Sequence, residues 1–225
     1  MAIELLIFDL DGTLADTKLD LAHAVNAARL HFGLPPLDNE LVYSYVGNGA
    51  PVLIRKVMGP DYSEAEIQLA LEHFLSHYRE HMLDSTTLYP GVRESLDRLR
   101  AAGVRLAVLT NKPEKISQDI LAGLGVGGHF FRICGGNHIV QKKPDPAGVW
   151  ILLEETGIPK ERALMVGDSA VDVLTARNAG IAVCGVTYGF QPESLAGEPP
   201  DILVDRIEDL ADMVVADRNL KGTRS

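Results

Sequence analysis

Two aspartates, Asp9 and Asp11, end the apolar run of the segment IELLIFDLDGT and stand only one residue apart. Side chains alternate along a strand, so this pair is expected to aim two carboxylates at one crevice. Two carboxylates without a counter-charge repel each other, and a hard cation such as Mg²⁺, which prefers oxygen ligands, would relieve that repulsion. Gly12 follows at once and permits a tight turn with close backbone approach. The spacing therefore predicts a magnesium site where a strand ends.

Further polar side chains follow other apolar segments, at the strand ends where a doubly wound parallel sheet binds its ligands. They are Thr110 and Asn111 after VRLAVL, Lys142 and Lys143 directly before Pro144, and Asp168 after ALMVG, with Asp172 one helical turn beyond it. We expect Asp168 to add a metal ligand, Thr110 a hydroxyl, and one lysine a positive charge. This combination suits phosphoryl transfer, which needs positive charge around the phosphoryl oxygens.

A carboxylate can be the nucleophile of such a reaction by forming an aspartyl-phosphate. A second carboxylate two residues later can protonate the leaving oxygen and then deprotonate the attacking water. Each motif alone has a simpler interpretation, because a lone Asp-x-Asp is often a capped turn and Gly-Asp-Ser is often a helix N-cap. Their joint occurrence at predicted strand ends favours a catalytic site.

Short apolar runs rich in β-branched residues predict strands that are buried on both faces, as in a parallel sheet. The runs are IELLIFDL (3–10), VRLAVLTN (104–111), ALMVGD (163–168), IAVCGVTYG (181–189) and DILVD (201–205). Helical patterns separate several of them, at 92–103, 113–125, 145–157 and 169–180. This alternation predicts an α/β fold with a doubly wound parallel sheet.

Residues 16–83 interrupt the alternation with helical patterns at 19–33, 40–47, 50–59 and 63–83. We therefore predict an α/β core of residues 1–15 and 84–225, with a helical cap of residues 16–83 inserted after the first strand. Within the cap, the turn around Asn48 is a candidate to face the active site and contact the substrate. Arg55 and Lys56 could meet a substrate carboxylate, although exposed cations on a helix are usually solvated.

Three histidines, His73, His77 and His81, repeat every four residues on a predicted cap helix. Two histidines at this spacing can share one metal ion. A polar stripe on the exposed face of the helix is the simpler interpretation. Both remain open from the sequence alone.

The composition excludes several classes of partner. The formal net charge of −10 argues against nucleic acid and acidic membranes, but not against a small anionic substrate in a local cationic pocket. Cys134 and Cys184 are far apart in apolar segments, which predicts two buried thiols in a reducing compartment. The N-terminal apolar run has no basic region before it and contains Glu4 and Asp9, so neither a signal peptide nor a membrane span is expected. We expect a cytoplasmic protein, and the sequence carries no signal for its oligomeric state.

Together these motifs resemble those of the haloacid dehalogenase (HAD) superfamily. The segments that carry the resemblance are DLDGTL (9–14), Thr110-Asn111, Lys143 before Pro144, and GDSAVD (167–172). The segments YVGNGAPVLI (45–54), GGNHIVQKKPDP (135–146) and GVTYGF (185–190) look most like the phosphoglycolate phosphatases within it. The insert after the first motif resembles the small helical cap of the subfamily that also contains the β-phosphoglucomutases.

The resemblance implies a role for each motif residue. Asp9 would be the nucleophile and a metal ligand, and Asp11 the general acid and base, binding Mg²⁺ through its backbone carbonyl. The remaining implied roles are Asp168 as a metal ligand, Asp172 as its support, Thr110 and Asn111 as holders of phosphoryl oxygens, and Lys143 as the neutralising cation, with Lys142 as the alternative. Apart from the resemblance, we also expect Gly12 and Asn48 to contact the substrate. Thr17 and Asn137 depart from the usual family pattern, and neither is expected to touch the chemistry.

The function implied is Mg²⁺-dependent hydrolysis of a small phosphate monoester, with 2-phosphoglycolate as the best single substrate. The dehalogenases and phosphonatases of the superfamily lack an aspartate at the position of Asp11, so its presence favours phosphate esters. The alternatives are a β-phosphoglucomutase-like mutase and a pyrophosphatase or sugar phosphatase. A signalling receiver domain fits poorly, because it would carry its acidic pair and its phosphorylated aspartate on different strands and would lack the helical insert.

Overall fold

The apolar runs form one parallel sheet in the computed structural model, which describes residues 2–137 and 141–222. The strands are β1 (Leu5–Phe8), β2 (Ala15–Asp16), β3 (Thr87–Leu88), β4 (Arg105–Leu109), β5 (Arg132–Cys134), β6 (Ala163–Gly167), β7 (Ala182–Val186) and β8 (Ile202–Val204). Six of them form the sheet in the order β5-β4-β1-β6-β7-β8, and β2 and β3 form a separate antiparallel pair. The predicted α/β class with a doubly wound parallel sheet is confirmed.

Helices cover the sheet and build the insert. They are α1 (Lys18–His31), α2 (Asn39–Tyr43), α3 (Ala50–Met58), α4 (Glu64–His81), α5 (Val92–Ala101), α6 (Glu114–Gly123), α7 (Ala147–Thr156), α8 (Ala170–Ala179) and α9 (Ile207–Gly222). Among the residues that the structure describes, no helix combines the length and apolarity needed to cross a bilayer.

Burial on both faces explains the unbroken apolar sequence of β1. Its four residues are all fully buried. Leu6 and Phe8 belong to the core cluster on one face of the sheet, and Leu5 and Ile7 belong to the cluster on the other face. Successive side chains of a strand point to opposite faces, so a strand between two helical layers needs an apolar residue at every position. This packing fixes the end of β1, and with it the position of the residues that follow.

Two elements of the core were absent from the sequence-based prediction. Strand β5 has only three residues and lies at the edge of the sheet, where Arg132 and Ile133 stay partly exposed. Helix α9 packs on α5 and contributes Leu210 and Val214 to the core, although no helix was predicted after the last strand. The predicted helix at 40–47 is also shorter in the structure, because α2 ends at Tyr43. Short strands, edge strands and weakly periodic helices leave only a weak hydrophobic pattern in the sequence. Tertiary packing determines whether they form and where they end.

Helices α1 to α4 pack around an apolar cluster of their own. Phe74 and Tyr78 of α4 stack with ring centroids 5.7 Å apart, and Val25 of α1 is buried beside them in the same cluster. Ile116 and Ile120 of α6 join this cluster from the core. The boundaries of the cap at 16 and 83 stay a prediction, with the pair of β2 and β3 lying just outside the helices.

Asp20 ties the start of α1 to the second connection between core and cap. Its buried carboxylate accepts hydrogen bonds from the backbone N–H groups of Ser85 and Thr86 at 3.0 and 2.9 Å. The Thr86 hydroxyl donates a further bond at 2.8 Å. Hydrogen bonds to an ionised group are stronger than neutral ones, and a lost acceptor leaves buried donors unpaired.

We expect Asp20→Ala to lower the free energy of unfolding by about 2–4 kcal/mol, because three donors lose their acceptor and two of them belong to the buried Thr86. The matched control is Asp38→Ala, which removes a carboxylate that accepts one exposed amide at the start of α2. That change should cost about 1 kcal/mol. Urea unfolding of both variants checks the difference, and equal losses would contradict the role of Asp20.

Candidate active site

The predicted polar strand ends lie together at the carboxyl edge of the sheet. Asp9 follows β1, which lies between β4 and β6 in the sheet. Thr110 follows β4 and Asp168 follows β6, so the three side chains come from adjacent strand ends and line one cleft. Side chains of α1, α3 and α4 close the cleft on the cap side, among them Leu21, Leu53, Phe74 and Tyr78.

Three buried carboxylates form a cluster on the core side of this cleft. Asp9, Asp168 and Asp172 each place an oxygen within 4.8 Å of the others. Burial raises the pKa of Asp168 to about 8, and repulsion by Asp172 and Asp9 adds to the rise. Burial also raises the pKa of Asp9 to about 6, although Lys143 opposes that rise. The raised pKa values show that these carboxylates are short of positive charge.

Lys143 supplies part of that charge from within the cluster. Its Nζ lies 3.0 Å from Asp9 Oδ1 and 2.7 Å from Asp172 Oδ1. Burial alone would lower the pKa of Lys143, but Asp172 and Asp9 raise it above its ordinary value, so the lysine stays charged. Lys142 instead places its Nζ 3.0 Å from the position that a Cβ on Gly49 would take, at the cap side of the cleft. The geometry therefore assigns the place beside Asp9 to Lys143.

The hydrogen bonds of the cluster leave two oxygens open for a cation. Asp172 Oδ1 accepts a hydrogen bond from Lys143 Nζ, and Asp172 Oδ2 accepts hydrogen bonds from the backbone N–H and the hydroxyl of Ser169. Asp168 Oδ2 accepts from the N–H groups of Phe190 and Gln191, while Asp9 Oδ1 accepts from Leu10. Of the carboxylate oxygens of Asp9, Asp168 and Asp172, Asp9 Oδ2 and Asp168 Oδ1 have no hydrogen bond to the described residues. An all-oxygen set with excess negative charge fits a hard divalent cation.

Gly12 provides the tight turn that the sequence predicts. Its φ is +80°, a value that favours glycine. A Cβ at this position would lie 2.2 Å from Asp168 Oδ2. Any side chain would therefore displace a carboxylate of the cluster.

Asp11 lines the cleft, but its side chain lies apart from the cluster. Its carboxylate accepts hydrogen bonds from Lys112 Nζ, at 2.9 and 3.1 Å, and from the Thr17 hydroxyl. Strand β1 ends at Phe8, so the strict alternation that would aim both aspartates at one point does not extend to Asp11. Thr17, which was not expected to touch the chemistry, is fully buried and donates this hydrogen bond to Asp11, so it lies closer to the site than the sequence predicts.

Lys112 is the main site residue that the sequence reading missed. It directly follows Thr110-Asn111 and is buried beside Asp11, with its Nζ 4.6 Å from the centre of the Tyr78 ring on the cap. Burial alone would lower the pKa of Lys112, but the Asp11 carboxylate raises it, with Tyr78 adding to the rise. The sequence does show a lysine directly after the predicted strand-end motif. Its role becomes visible only in the structure, through its contact with Asp11.

Asn111 connects three parts of the site. Its amide nitrogen donates to the backbone carbonyls of Gly47 and Lys143, at 3.0 and 3.1 Å, and its oxygen accepts from the Lys143 N–H. The Asn111 side chain is therefore occupied in positioning Lys143 and the cap. The predicted contact of Asn111 with phosphoryl oxygens would have to come from its backbone. Thr110 is buried and lines the cleft, as predicted for a hydroxyl that meets the phosphoryl group.

Gln191 is a second residue that the sequence reading missed. Its side-chain nitrogen donates to the carbonyls of Ser44 and Val46, just after α2, at 3.2 and 2.9 Å. Its backbone N–H holds Asp168, so one residue joins the cap to the carboxylate cluster. The nearby Asn48 is exposed, and the cleft is lined by its neighbours Gly47 and Gly49 instead. The structure thus places the predicted turn at the cleft but turns Asn48 away from it.

The remaining candidate cap residues lie elsewhere. Arg55 forms an exposed ion pair with Glu64, and Lys56 lies over the ring of Tyr45. His73 stacks on His31, while the rings of His77 and His81 pack 4.4 Å apart. Among the described residues, Asp9, Asp168 and Asp172 form the group of three or more ligating side chains that could share one ion. No histidine belongs to it. A second metal site on the histidine stripe is therefore not supported.

Comparison with known proteins places this architecture in a family. Residues 6–186 match the model of the haloacid dehalogenase-like hydrolases. The chain is 42% identical over 213 residues to a phosphoglycolate phosphatase of Pseudomonas fluorescens, covering 92% of this chain and 78% of that protein. It is 41% identical over 216 residues to a phosphoglycolate phosphatase of Chromobacterium violaceum, covering 94% and 96%. A crystal structure described as a predicted phosphoglycolate phosphatase from Haemophilus somnus superimposes with a TM-score of 0.89 at 36% identity, covering 94% and 97%.

We expect a divalent cation to stabilise the protein, and the stabilisation to grow with pH. Asp9 and Asp168 have folded pKa values of about 6 and 8, above their ordinary 3.8, so the metal-free folded state holds protons that the unfolded chain releases. Their contribution to stability is therefore complete at acid pH and is lost as the pH rises through these values. A cation replaces those protons, so thermal melts with and without it should diverge from pH 6 to 8.

Asp168→Asn tests the same balance. The variant should lose the stabilisation by the cation, yet be more stable than the wild type in EDTA at pH 8 by about 1 kcal/mol, or about 2–4 °C in melting temperature. The control Asp61→Asn changes an exposed aspartate and should alter stability by less than about 0.5 kcal/mol. A cation effect that is constant across this pH range would contradict the repulsion within the cluster.

Proposed function

The chain belongs to the haloacid dehalogenase-like hydrolases, and on that premise we propose that it is a Mg²⁺-dependent phosphatase that hydrolyses 2-phosphoglycolate to glycolate and phosphate. It is a phosphoric monoester hydrolase, as its relatives with about 40% identity over most of the chain are. The observation that carries the proposal is the separation of two neighbouring aspartates into different environments. Asp9 lies in the carboxylate cluster beside Lys143, and Asp11 lies outside it beside Lys112.

Asp9 is the nucleophile in this proposal. Its Oδ1 accepts a hydrogen bond from Leu10 N–H at 2.7 Å and lies 3.0 Å from Lys143 Nζ, and these contacts fix the carboxylate at the end of β1. The attack forms an aspartyl-phosphate and breaks the bond from phosphorus to the ester oxygen. The charged Lys143 offsets negative charge that gathers on Asp9 and on the phosphoryl oxygens.

Asp11 is the general acid and base. It lines the same cleft, and it gives its proton to the ester oxygen as that oxygen leaves. It then takes a proton from the water that attacks the aspartyl-phosphate, which releases phosphate and restores Asp9. Thr17 and Lys112 hold its carboxylate at the cleft during both steps.

Asp9 and Asp168, with the backbone carbonyl of Asp11, are the residues that would hold Mg²⁺, and Asp172 supports them through Lys143 and Ser169. The fit rests on the two open oxygens and on the raised pKa values of the cluster. When bound, the cation would supply positive charge to the phosphoryl oxygens. The backbone N–H groups of Phe190 and Gln191 donate hydrogen bonds that orient Asp168.

The lining of the cleft offers few hydrogen-bond partners to the hydroxyl groups of a sugar phosphate. Apolar side chains from cap and core dominate it, including Leu21, Leu53, Phe74, Ile116 and Phe190. Sugar hydroxyls buried there would lose their bonds to water without gaining protein partners, which is costly. The mutase and sugar phosphatase alternatives are therefore disfavoured. We further propose a cytoplasmic location, which the buried and unpaired Cys134 and Cys184 support.

A panel of 2-phosphoglycolate, glucose 1-phosphate, glucose 6-phosphate and pyrophosphate, assayed by phosphate release, tests this function. We expect 2-phosphoglycolate to have the highest kcat/KM, with activity lost in EDTA and restored by Mg²⁺. Ca²⁺ should inhibit, because its longer and more flexible coordination misplaces the phosphoryl group. The control Asp9→Asn should fold normally and lose activity by about 10³-fold or more. A higher kcat/KM for a sugar phosphate, or full turnover in EDTA, would reject the proposal.

Asp11→Asn separates acid catalysis from metal binding. The alkoxide of glycolate leaves poorly and needs the proton from Asp11, whereas p-nitrophenolate leaves with little help. We expect the variant to lose about 10²–10⁴-fold with 2-phosphoglycolate and much less in the first step with p-nitrophenyl phosphate. Phosphoenzyme should accumulate in quenched single turnovers, because water attack lacks its base. Equal losses on both substrates that extra Mg²⁺ repairs would show that Asp11 serves the metal instead.

A further inference from the structure

The cleft has a single cationic side chain among its described lining residues, and that residue is Lys112. Lys143 lies behind Asp9, paired with two carboxylates. The Lys112 side chain is 4% exposed, and its Nζ lies 2.9 Å from Asp11 Oδ1. Asp11 already offsets one charge of this ammonium, but the ammonium has three N–H donors, and in a buried site water screens its attraction for a second anion little.

The position of Lys112 beside Asp11 indicates which part of a substrate would carry the anionic group. Asp11 must reach the ester oxygen to protonate it, so Lys112 is close to the atoms next to that oxygen. In 2-phosphoglycolate one methylene group separates the ester oxygen from the carboxylate. We propose that Lys112 binds this carboxylate and so selects phosphate esters that carry an acid group on the ester carbon. The proposal rests on the phosphatase function stated above.

Tyr78 supplies a second feature of this subsite. Its ring lies under the Lys112 ammonium, and its hydroxyl is buried without a hydrogen-bond partner among the described residues. Burying a hydroxyl without a partner costs free energy, and a carboxylate held by Lys112 would offer it an acceptor. Tyr78 belongs to the cap and Lys112 to the core, so the carboxylate would join the two parts of the enzyme around the substrate.

Other cations of the region are placed less well for this role. Arg55 pairs with Glu64 and faces solvent, and Lys56 is exposed. Lys142 comes near Gly49 at the cap side of the cleft, outside its lining. It has the same charge as Lys112 and a nearby position, which makes it the matched control.

The experiment compares 2-phosphoglycolate with ethyl phosphate, in which a methyl group replaces the carboxylate. We expect the wild type to prefer 2-phosphoglycolate, and Lys112→Met to lower kcat/KM for it by about 100-fold more than for ethyl phosphate. The selective part of the loss should appear mainly in KM. Lys112→Arg, which keeps the charge, should retain part of the preference. Lys142→Met should leave the ratio of the two substrates unchanged.

The outcomes separate the two proposals. If the wild type hydrolyses both esters equally well, or Lys112→Met loses both equally, the carboxylate subsite is wrong while the phosphatase function stands. If Lys142→Met shows the selective loss, the subsite belongs to Lys142. If the wild type hydrolyses neither ester but does hydrolyse another phosphate, the proposed substrate is wrong. Should Lys112→Met fail to fold, Tyr78→Phe decides, with an expected selective loss of about 5–10-fold and an unchanged ratio counting against the subsite.

Discussion

Repulsion among three buried carboxylates is the constraint on which the rest of the structure depends. Asp9, Asp168 and Asp172 lie within reach of one ion, and Lys143 alone cannot balance them. Keeping such charges together costs free energy, so the surroundings must hold each oxygen in place. Backbone amides from the segment after β7, the capping box of α8 and the close approach of Gly12 serve this purpose. The cluster lowers the stability of the metal-free fold, and it leaves carboxylate oxygens placed where a cation could bind.

Two aspartates from one short motif acquire different chemistry through their neighbours. Asp9 is attached to the end of a rigid, fully buried strand and remains in the cluster. Asp11 lies beyond the strand, where Thr17 and Lys112 draw its carboxylate to the cleft. In the proposed mechanism the nucleophile and the proton carrier need different environments, and the end of β1 separates Asp9 from Asp11.

Two side-chain amides join the cap to the catalytic groups. Asn111 contacts both the cap at Gly47 and the backbone of Lys143, and Gln191 contacts both the end of α2 and Asp168. Both donate to backbone carbonyls of the same cap segment. Cap position and site geometry are therefore linked through hydrogen bonds that the core can make only when the cap lies where it does here.

The sequence alone determined the elements that local patterns encode strongly. Apolar runs buried on both faces predicted five strands of the sheet, at 3–10, 104–111, 163–168, 181–189 and 201–205, while the short edge strand β5 and helix α9 escaped because their patterns are weak. The candidates Asp9, Asp11 and Asp168 also followed from the sequence, since each stands at or near a strand end and parallel strands bring those ends together.

Only the tertiary structure decided how these residues divide their roles. It placed Lys143 rather than Lys142 beside Asp9, paired Asp11 with Lys112, and turned Asn48 to solvent. It also gave Asn111 and Gln191 their contacts with the cap. A strand pattern predicts where each strand ends. The direction of a side chain in the following loop depends on charges and carbonyls from distant parts of the chain. Those partners meet only when cap and core pack together, and no local pattern in the sequence records their approach.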